Sequence, residues 1–363
     1  MKRLKSIDTF RGISIFWMFL GHLLDWWLIE QDSWLYNIIF NIVDPIGSSA
    51  FIFIAGVATT ISLRIRYIRA NTSENYDNHT IRREYFFRAF LIFIVALSYN
   101  LAIALSLLNP LYLWTWFVLL TISISLFLAW PIFKLPILYR IIIGIGVWIC
   151  NYYLLNFLLP FRGVENIFGF LFHNFYHSLD LDPILSFFPF FLFGSVIGEI
   201  IFKIYQIKDK RLMKKTLKTK LLYPCILIGI SLIIFGILIR FPQFFVNRSF
   251  SWLIYTLGID ISLLMVFIIF EEFANFKKTE KKGLLFYFSY YSLTIYLSHN
   301  LLYFLFYRQL TMINIWFFII ILLVIVGYLL KTLYQKFGST LSLKYQIGRM
   351  AISFAKSKKF QEE

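Results

Sequence analysis

The chain has 363 residues, of which 60% are hydrophobic, 21% aromatic and only 15% charged, a composition that excludes an ordinary soluble domain. Its formal charge of +16 does not mark a nucleic-acid binder, because the basic residues sit in short clusters between apolar runs of membrane length.

In chain order, ten runs are long enough to span a bilayer: approximately 10–29, 46–65, 86–108, 111–132, 138–159, 184–205, 221–240, 251–271, 284–306 and 313–335. The fold class expected is an all-α integral membrane protein of about ten transmembrane helices, a single polytopic domain over 1–363 with both termini cytoplasmic. The distribution of basic residues supports that register. With the N-terminus inside, 31 of the 35 Lys and Arg fall on the cytoplasmic side, and only Arg162, Arg240, Arg248 and Arg308 remain outside. Lys2, Arg3 and Lys5 precede the first run, which is longer than a signal-peptide core and ends at Asp25-Trp26-Trp27 rather than at a small-residue cleavage site, so it reads as a retained helix in the cell membrane.

The first run opens with Asp8-Thr9-Phe10-Arg11-Gly12 and closes with His22 and Asp25. At 100° per residue, the eleven steps from Arg11 to His22 come to about 20° past three turns, so both side chains share a stripe, roughly 16 Å apart along the axis. A cation at the water boundary and a titratable group within the membrane then look the same way, and ionisable groups at that depth are functional candidates. His299, in the ninth run, falls at a depth similar to that of His22. A lone membrane histidine can be only an interhelical hydrogen bond, but two at one depth, one of them with Asp25 at i+3, favour chemistry. A neighbouring carboxylate can fix an imidazole tautomer and raise its basicity, as a general base requires.

The outer connections carry seven acids, Asp25, Glu30, Asp32, Asp44, Glu165, Asp180 and Asp182, while Asp260 falls inside the eighth run. Two of these connections are long, Glu30 to Pro45 and Pro160 to Pro183, and the second holds Arg162, His173, His177, Asp180 and Asp182. His173 and His177 have the i, i+4 spacing of a helical zinc site but no clear third ligand, so no metal is expected. An all-helical chain also lacks the strand–turn–helix elbow of a serine hydrolase. Inside, 71–80 and 206–220 read as flexible polar loops. Gly56, Gly194 and Gly198 have small-residue spacing suited to close helix packing. Arg82, Arg83 and Arg88 satisfy the positive-inside bias and also suit a phosphate clamp. Trp26, Trp27, Trp34, Trp114 and Trp116 read as an aromatic belt. Cys150 and Cys225, both within apolar runs, read as core residues.

Several of these stretches resemble one family. Arg3-Leu4-Lys5-Ser6-Ile7-Asp8-Thr9-Phe10-Arg11-Gly12 is similar to the opening of the heparan-α-glucosaminide N-acetyltransferase catalytic-domain family, within the wider transmembrane acyltransferases. Phe51 to Gly56 resembles its second-helix pattern. Asp180-Leu181-Asp182-Pro183, then Phe188-Pro189 and Gly194-x-x-x-Gly198, resembles its Asp-x-x-Pro and GxxxG stretch. Ser292 to His299 resembles its late-helix motif, and the spacing of Arg11 and His22 matches the Arg-x10-His pattern of the superfamily.

The resemblance implies transfer of an acyl group, usually acetyl, from cytosolic acyl-CoA, a co-substrate, to a sugar hydroxyl or amine on the far side of the membrane. It implies that Asp8, Arg11, Arg82, Arg83 and Arg88 serve the CoA phosphates. His22 would then be the base, Asp25 its orienter, and His299 a carbonyl-polarising, base-assisting or sugar-binding group. Arg162, His173, Asp180 and Asp182 would bind the acceptor. Lysosomal members carry Asn at the position of His22 and a functional histidine in the loop that follows, where this chain reads Glu30-Gln31-Asp32-Ser33-Trp34. A prokaryotic envelope glycan is therefore the expected acceptor. The expected partners are acyl-CoA, a glycan and the bilayer, with a homodimer left open. On physics alone, paired histidines and Asp260 also suit a proton-coupled transporter, and a lipid-scaffolding role would need neither histidine.

Overall fold

The computed structural model describes residues 4–71, 76–177, 181–246, 248–273 and 283–357. Its helices are α1 (Lys5–Trp27), α2 (Ser33–Val43), α3 (Ser48–Ala70), α4 (Asn78–Ser106), α5 (Val118–Ile132), α6 (Ile137–Leu158), α7 (Ile167–Phe175), α8 (Ile184–Tyr205), α9 (Lys210–Leu217), α10 (Tyr223–Ile239), α11 (Phe250–Glu272), α12 (Leu284–Tyr290), α13 (Ser292–Ser298), α14 (Asn314–Phe337) and α15 (Leu343–Ser357). No β-strand forms among the described residues; one isolated bridge joins Leu28 and Leu310.

Eight helical segments, rather than the ten expected, are both long and apolar enough to cross a membrane: Glu30–Ala70, Asn78–Ser106, Pro110–Ile132, Ile137–Phe161, Ile184–Tyr205, Lys210–Ile239, Phe250–Glu272 and Asn314–Phe337. The two runs that do not qualify are those carrying His22 and His299. Helix α1 has the length, about 34 Å for its 23 residues, but Asp8, Arg11, His22 and Asp25 dilute its apolar character. The run from residue 284 is not one helix. It breaks at Tyr291, resumes as α13, and tightens at His299 into a 3₁₀ turn over His299–Phe304.

The expected loop at 206–220 is also corrected. Asp209 accepts a hydrogen bond from the Arg211 backbone N–H, capping α9, and Leu217 is fully buried. The long connections beyond α1 and α6 fold locally into α2 and α7.

The chain divides into two compact units, one of residues 52–221 and 347–363 and the other of residues 2–51 and 222–346. The first is organised on α8, whose flanks are buried almost throughout. A Cβ at Gly194 would lie 2.1 Å from the Phe53 carbonyl oxygen, and one at Gly56 would lie 2.1 Å from that of Phe191. Only glycine permits backbones to approach so closely, so the packing role expected of these residues is what the structure shows. Glu199 meets Arg64 at 2.7 Å and Arg140 at 3.7 Å, and Arg140 also donates to the Phe133 carbonyl past the end of α5. Phe87 of α4 stacks on Phe354 of α15 at 3.9 Å.

The second unit is built around α1. Phe10 packs on Phe267 of α11, Phe16 and Phe19 pack edge-on against Phe288 of α12, and Trp27 packs on Phe306. Glu271 at the end of α11 accepts from the backbone N–H groups of Lys5 and Ser6, filling two orphan donors at the start of α1. Gly12 sets the approach of α12, since a Cβ there would lie 2.2 Å from the Leu285 carbonyl oxygen.

Candidate active site

The polar groups of α1 form two clusters near its two ends. Towards Lys5, the Arg11 guanidinium lies 3.6 Å from the Asp8 carboxylate, one turn away. That carboxylate also accepts from the Ser289 hydroxyl, and Lys344 Nζ donates to the Ser289 carbonyl at 2.8 Å. Asp8 and Arg11 thus work as a pair, with Ser289 and Lys344 beside them. Lys344 lies far along the chain in a general basic stretch, and nothing in its local sequence connects it to Arg11.

Towards Trp27, His22 stacks on Trp26, one turn further along α1, with ring centroids 5.0 Å apart. His299 lies against both: its ring is 5.0 Å from that of His22 and 5.6 Å from that of Trp26. The matched depth expected of the two histidines is realised as a ring contact. No protein group among the described residues hydrogen-bonds the His22 ring. His299 is buried, and its Nδ1 lies 2.6 Å from the Tyr296 carbonyl oxygen. A carbonyl only accepts, so Nδ1 carries the proton, and in the neutral imidazole the lone pair is at Nε2.

The segment after His299 holds this arrangement in place. The backbone N–H of Arg308 donates to Trp26, and those of Gln309 and Leu310 donate to Trp27, filling carbonyls that the end of α1 leaves without helical partners; Ile29 N–H returns a bond to Leu310. The Trp27 indole donates to the Leu302 carbonyl at 2.9 Å, and Arg308 places its guanidinium on the Leu28 carbonyl at 3.3 Å. A cation is favourable at a helix C-terminus. Trp27 is therefore a buried anchor for the His299 segment rather than a belt residue. Trp114 and Trp116 likewise donate to the Asn174 carbonyl.

Asp25, expected to orient His22, has a different charge within its reach. Its carboxylate lies within electrostatic reach of Arg308, and no hydrogen bond or charge contact joins it to the His22 ring among the described residues. At i+3 it points about 60° away from His22 around the helix.

The remaining candidates lie in the first unit. Arg82 is exposed and sits over the Phe86 ring, Arg83 is half-buried with a buried Nη2 that has no hydrogen-bond partner among the described residues, and Arg88 is half-buried. Arg162 is exposed. His173 and His177 rings lie 4.6 Å apart. His177 is buried, with Nε2 3.1 Å from the Leu111 carbonyl oxygen and 3.4 Å from the Thr115 hydroxyl, which ties it to the turn before α5; burial pushes the His173 pKa below its usual value. Asp182 docks through its backbone, donating to Trp116, and Asp180 lies outside the described residues. Among the described residues no group of three potential metal ligands occurs.

Comparison with known proteins supplies the family. No curated protein matches the chain. A family model described as heparan-alpha-glucosaminide N-acetyltransferase, catalytic, matches residues 3–241. The match includes the Asp8 to Gly12 opening, His22, and the glycines that pack α3 on α8, and it ends before His299. With well over half the chain matched and eight segments fit to cross a bilayer, this multi-pass membrane transferase belongs to the heparan-alpha-glucosaminide N-acetyltransferase catalytic family.

Proposed function

We propose that the chain works as one polytopic acyltransferase in the cell membrane. It moves an acetyl group from cytosolic acetyl-CoA to a hydroxyl or amine of an envelope glycan on the extracytoplasmic side. The observation that carries this reading is the His22–His299 ring contact at 5.0 Å, in a chain of an acetyltransferase family. Both termini are cytoplasmic in this reading, as the basic residues favour, which puts Arg11 at the donor's face and His22 towards the acceptor's.

The chemistry needs a base, a fixed approach and a place for the donor's charge. The acceptor's oxygen or nitrogen attacks the thioester carbonyl carbon while a ring nitrogen of His22 takes its proton. The C–S bond then breaks, and the imidazolium returns the proton to the departing thiolate. Direct attack in a ternary complex requires no covalent enzyme intermediate, and holding both substrates supplies much of the rate. Neutral His299 has its N–H committed to Tyr296, so it accepts a hydrogen bond from the acceptor and does not polarise the thioester carbonyl. Arg11 receives donor phosphate, with Asp8 holding the guanidinium and Lys344 adding charge.

The test is direct. Purified protein in nanodiscs is given acetyl-CoA with a panel of hexoses, hexosamines and N-acetylhexosamines, and CoA release is followed together with the mass of the acceptor. A gain of one acetyl group on one acceptor supports the reading; retention of acetyl-CoA with every acceptor overturns it.

One observation favours a second reading, proton-coupled transport. Asp260 of α11 is fully buried, and among the described residues neither carboxylate oxygen has a hydrogen-bond partner. Proton uptake into proteoliposomes that disappears in Asp260→Asn would support transport. Acetyl transfer unchanged in that variant would leave Asp260 outside the chemistry.

A further inference from the structure

The acceptor must reach the imidazole pair from the surface, and one face of the second unit combines the chemistry that sugars select. Trp26, stacked on both histidines, meets the Tyr303 ring edge-on at 5.7 Å. Tyr303 in turn lies 4.4 Å from the exposed ring of Tyr307. The Arg308 guanidinium lies 5.8 Å from the Tyr307 ring centre and within electrostatic reach of the Asp25 carboxylate. A chain of aromatic rings thus leads from His22 and His299 to exposed Tyr307, with a carboxylate and a guanidinium beside it.

We infer that Tyr303 and Tyr307, with Asp25 and Arg308, form the subsite that seats the acceptor sugar. This deepens the acetyl-transfer reading and rests on it. A pyranose has an apolar face of C–H groups and a rim of hydroxyls. Aromatic side chains present a broad apolar surface with a polar tip, and ligand sites pair such surfaces with a few fixed polar groups. The backbone bonds from Arg308, Gln309 and Leu310 to α1 make the platform part of the same structure as His22, so the bound sugar and the base keep one register. No role had been expected for Tyr303 or Tyr307, whose i, i+4 spacing is common in aromatic-rich membrane segments.

The test measures sugar binding without requiring turnover. Saturation-transfer NMR is recorded for a panel of hexoses, hexosamines and N-acetylhexosamines on the full chain in nanodiscs, comparing wild type with Tyr303→Ala, Tyr303→Phe and Tyr307→Ala. Acetyl-CoA affinity is measured on the same samples. The expected result is saturation of the ring C–H protons of at least one sugar in the wild type. Affinity should weaken about tenfold in Tyr303→Ala, be largely kept in Tyr303→Phe, and fall in Tyr307→Ala, with acetyl-CoA affinity unchanged throughout. If Tyr303→Ala does not fold, the exposed Tyr307 supplies the comparison. Absence of saturation by every sugar, or saturation indifferent to both alanine variants, overturns the inference. Failure of acetyl transfer appears separately, as retained acetyl-CoA in the presence of a sugar that binds.

Discussion

The His22 and His299 rings lie 5.0 Å apart, held by a segment that leaves His299, turns, and hydrogen-bonds the last carbonyls of the helix carrying His22. The two imidazoles are not equivalent. The Tyr296 carbonyl fixes one nitrogen of His299, whereas the protein leaves the His22 ring without a hydrogen bond among the described residues.

That asymmetry predicts different responses to substitution. Replacing His299 by Gln keeps an acceptor oxygen near the position of Nε2, and replacing it by Ala removes it. Transfer is expected to survive in His299→Gln at a rate within about tenfold of wild type and to fall by about 100-fold in His299→Ala, mostly through the acceptor KM. Equal loss in the two variants, confined to kcat, would mean that His299 is itself the base.

Gly12 sits where α12 comes nearest to α1, and its neighbour is backbone, which cannot swing aside as a flexible side chain can. Gly12→Ala is expected to lower stability by about 1–3 kcal/mol and to reduce transfer, because α12 leads to the His299 segment. Thermal unfolding in detergent, measured alongside turnover, checks both. An unchanged melting temperature would show that α1 and α12 are not packed this closely.

The Asp25 carboxylate lies within electrostatic reach of Arg308, and no hydrogen bond joins it to the imidazole among the described residues. Asp25→Asn should therefore raise the acceptor KM several-fold while kcat stays within about tenfold of wild type. Loss of an imidazole-orienting carboxylate would instead depress kcat by orders of magnitude. Steady-state kinetics on a transferable acceptor separates the two.

Arg11 and Asp8 are paired at 3.6 Å, with Lys344 on the adjoining Ser289 carbonyl. Arg11→Ala is expected to weaken acetyl-CoA binding about tenfold or more, and Lys344→Ala to weaken it less. Binding of dephospho-CoA and of acetyl-pantetheine to each variant, by calorimetry, would show which phosphate each cation meets. Equal affinity of wild type and Arg11→Ala for acetyl-CoA would remove Arg11 from the donor site.

Much of this arrangement is legible in local sequence, because helix periodicity carries it. The stripe shared by Arg11 and His22 needs only the 3.6-residue repeat. The glycines at 56 and 194 declare close packing through their spacing, and the structure places each against a carbonyl. What local sequence does not carry is the behaviour of an interrupted helix. The run from residue 284 reads as one span, yet it breaks at Tyr291 and tightens at His299, because segments distant in sequence satisfy the backbone groups released there. Ser342 donates to the Tyr290 carbonyl and Lys344 to that of Ser289, and the Trp27 indole donates to the Leu302 carbonyl. For the same reason Arg308 reads as a stray outer arginine until it meets the Leu28 carbonyl, and Lys344 as part of a basic tail until it meets Ser289. The segment 206–220 misleads in another way, since its many lysines hide a capped helical turn with buried Leu217.

The most direct test of the account compares wild type with His22→Ala, measuring acetyl-CoA affinity and acetyl transfer to a sugar on the same preparations. His22→Ala is expected to bind acetyl-CoA as wild type does and to transfer acetyl 100-fold or more slowly, about the loss expected when a general base is removed. Transfer at the wild-type rate by His22→Ala would contradict it, since the imidazole pair would then have no part in the reaction.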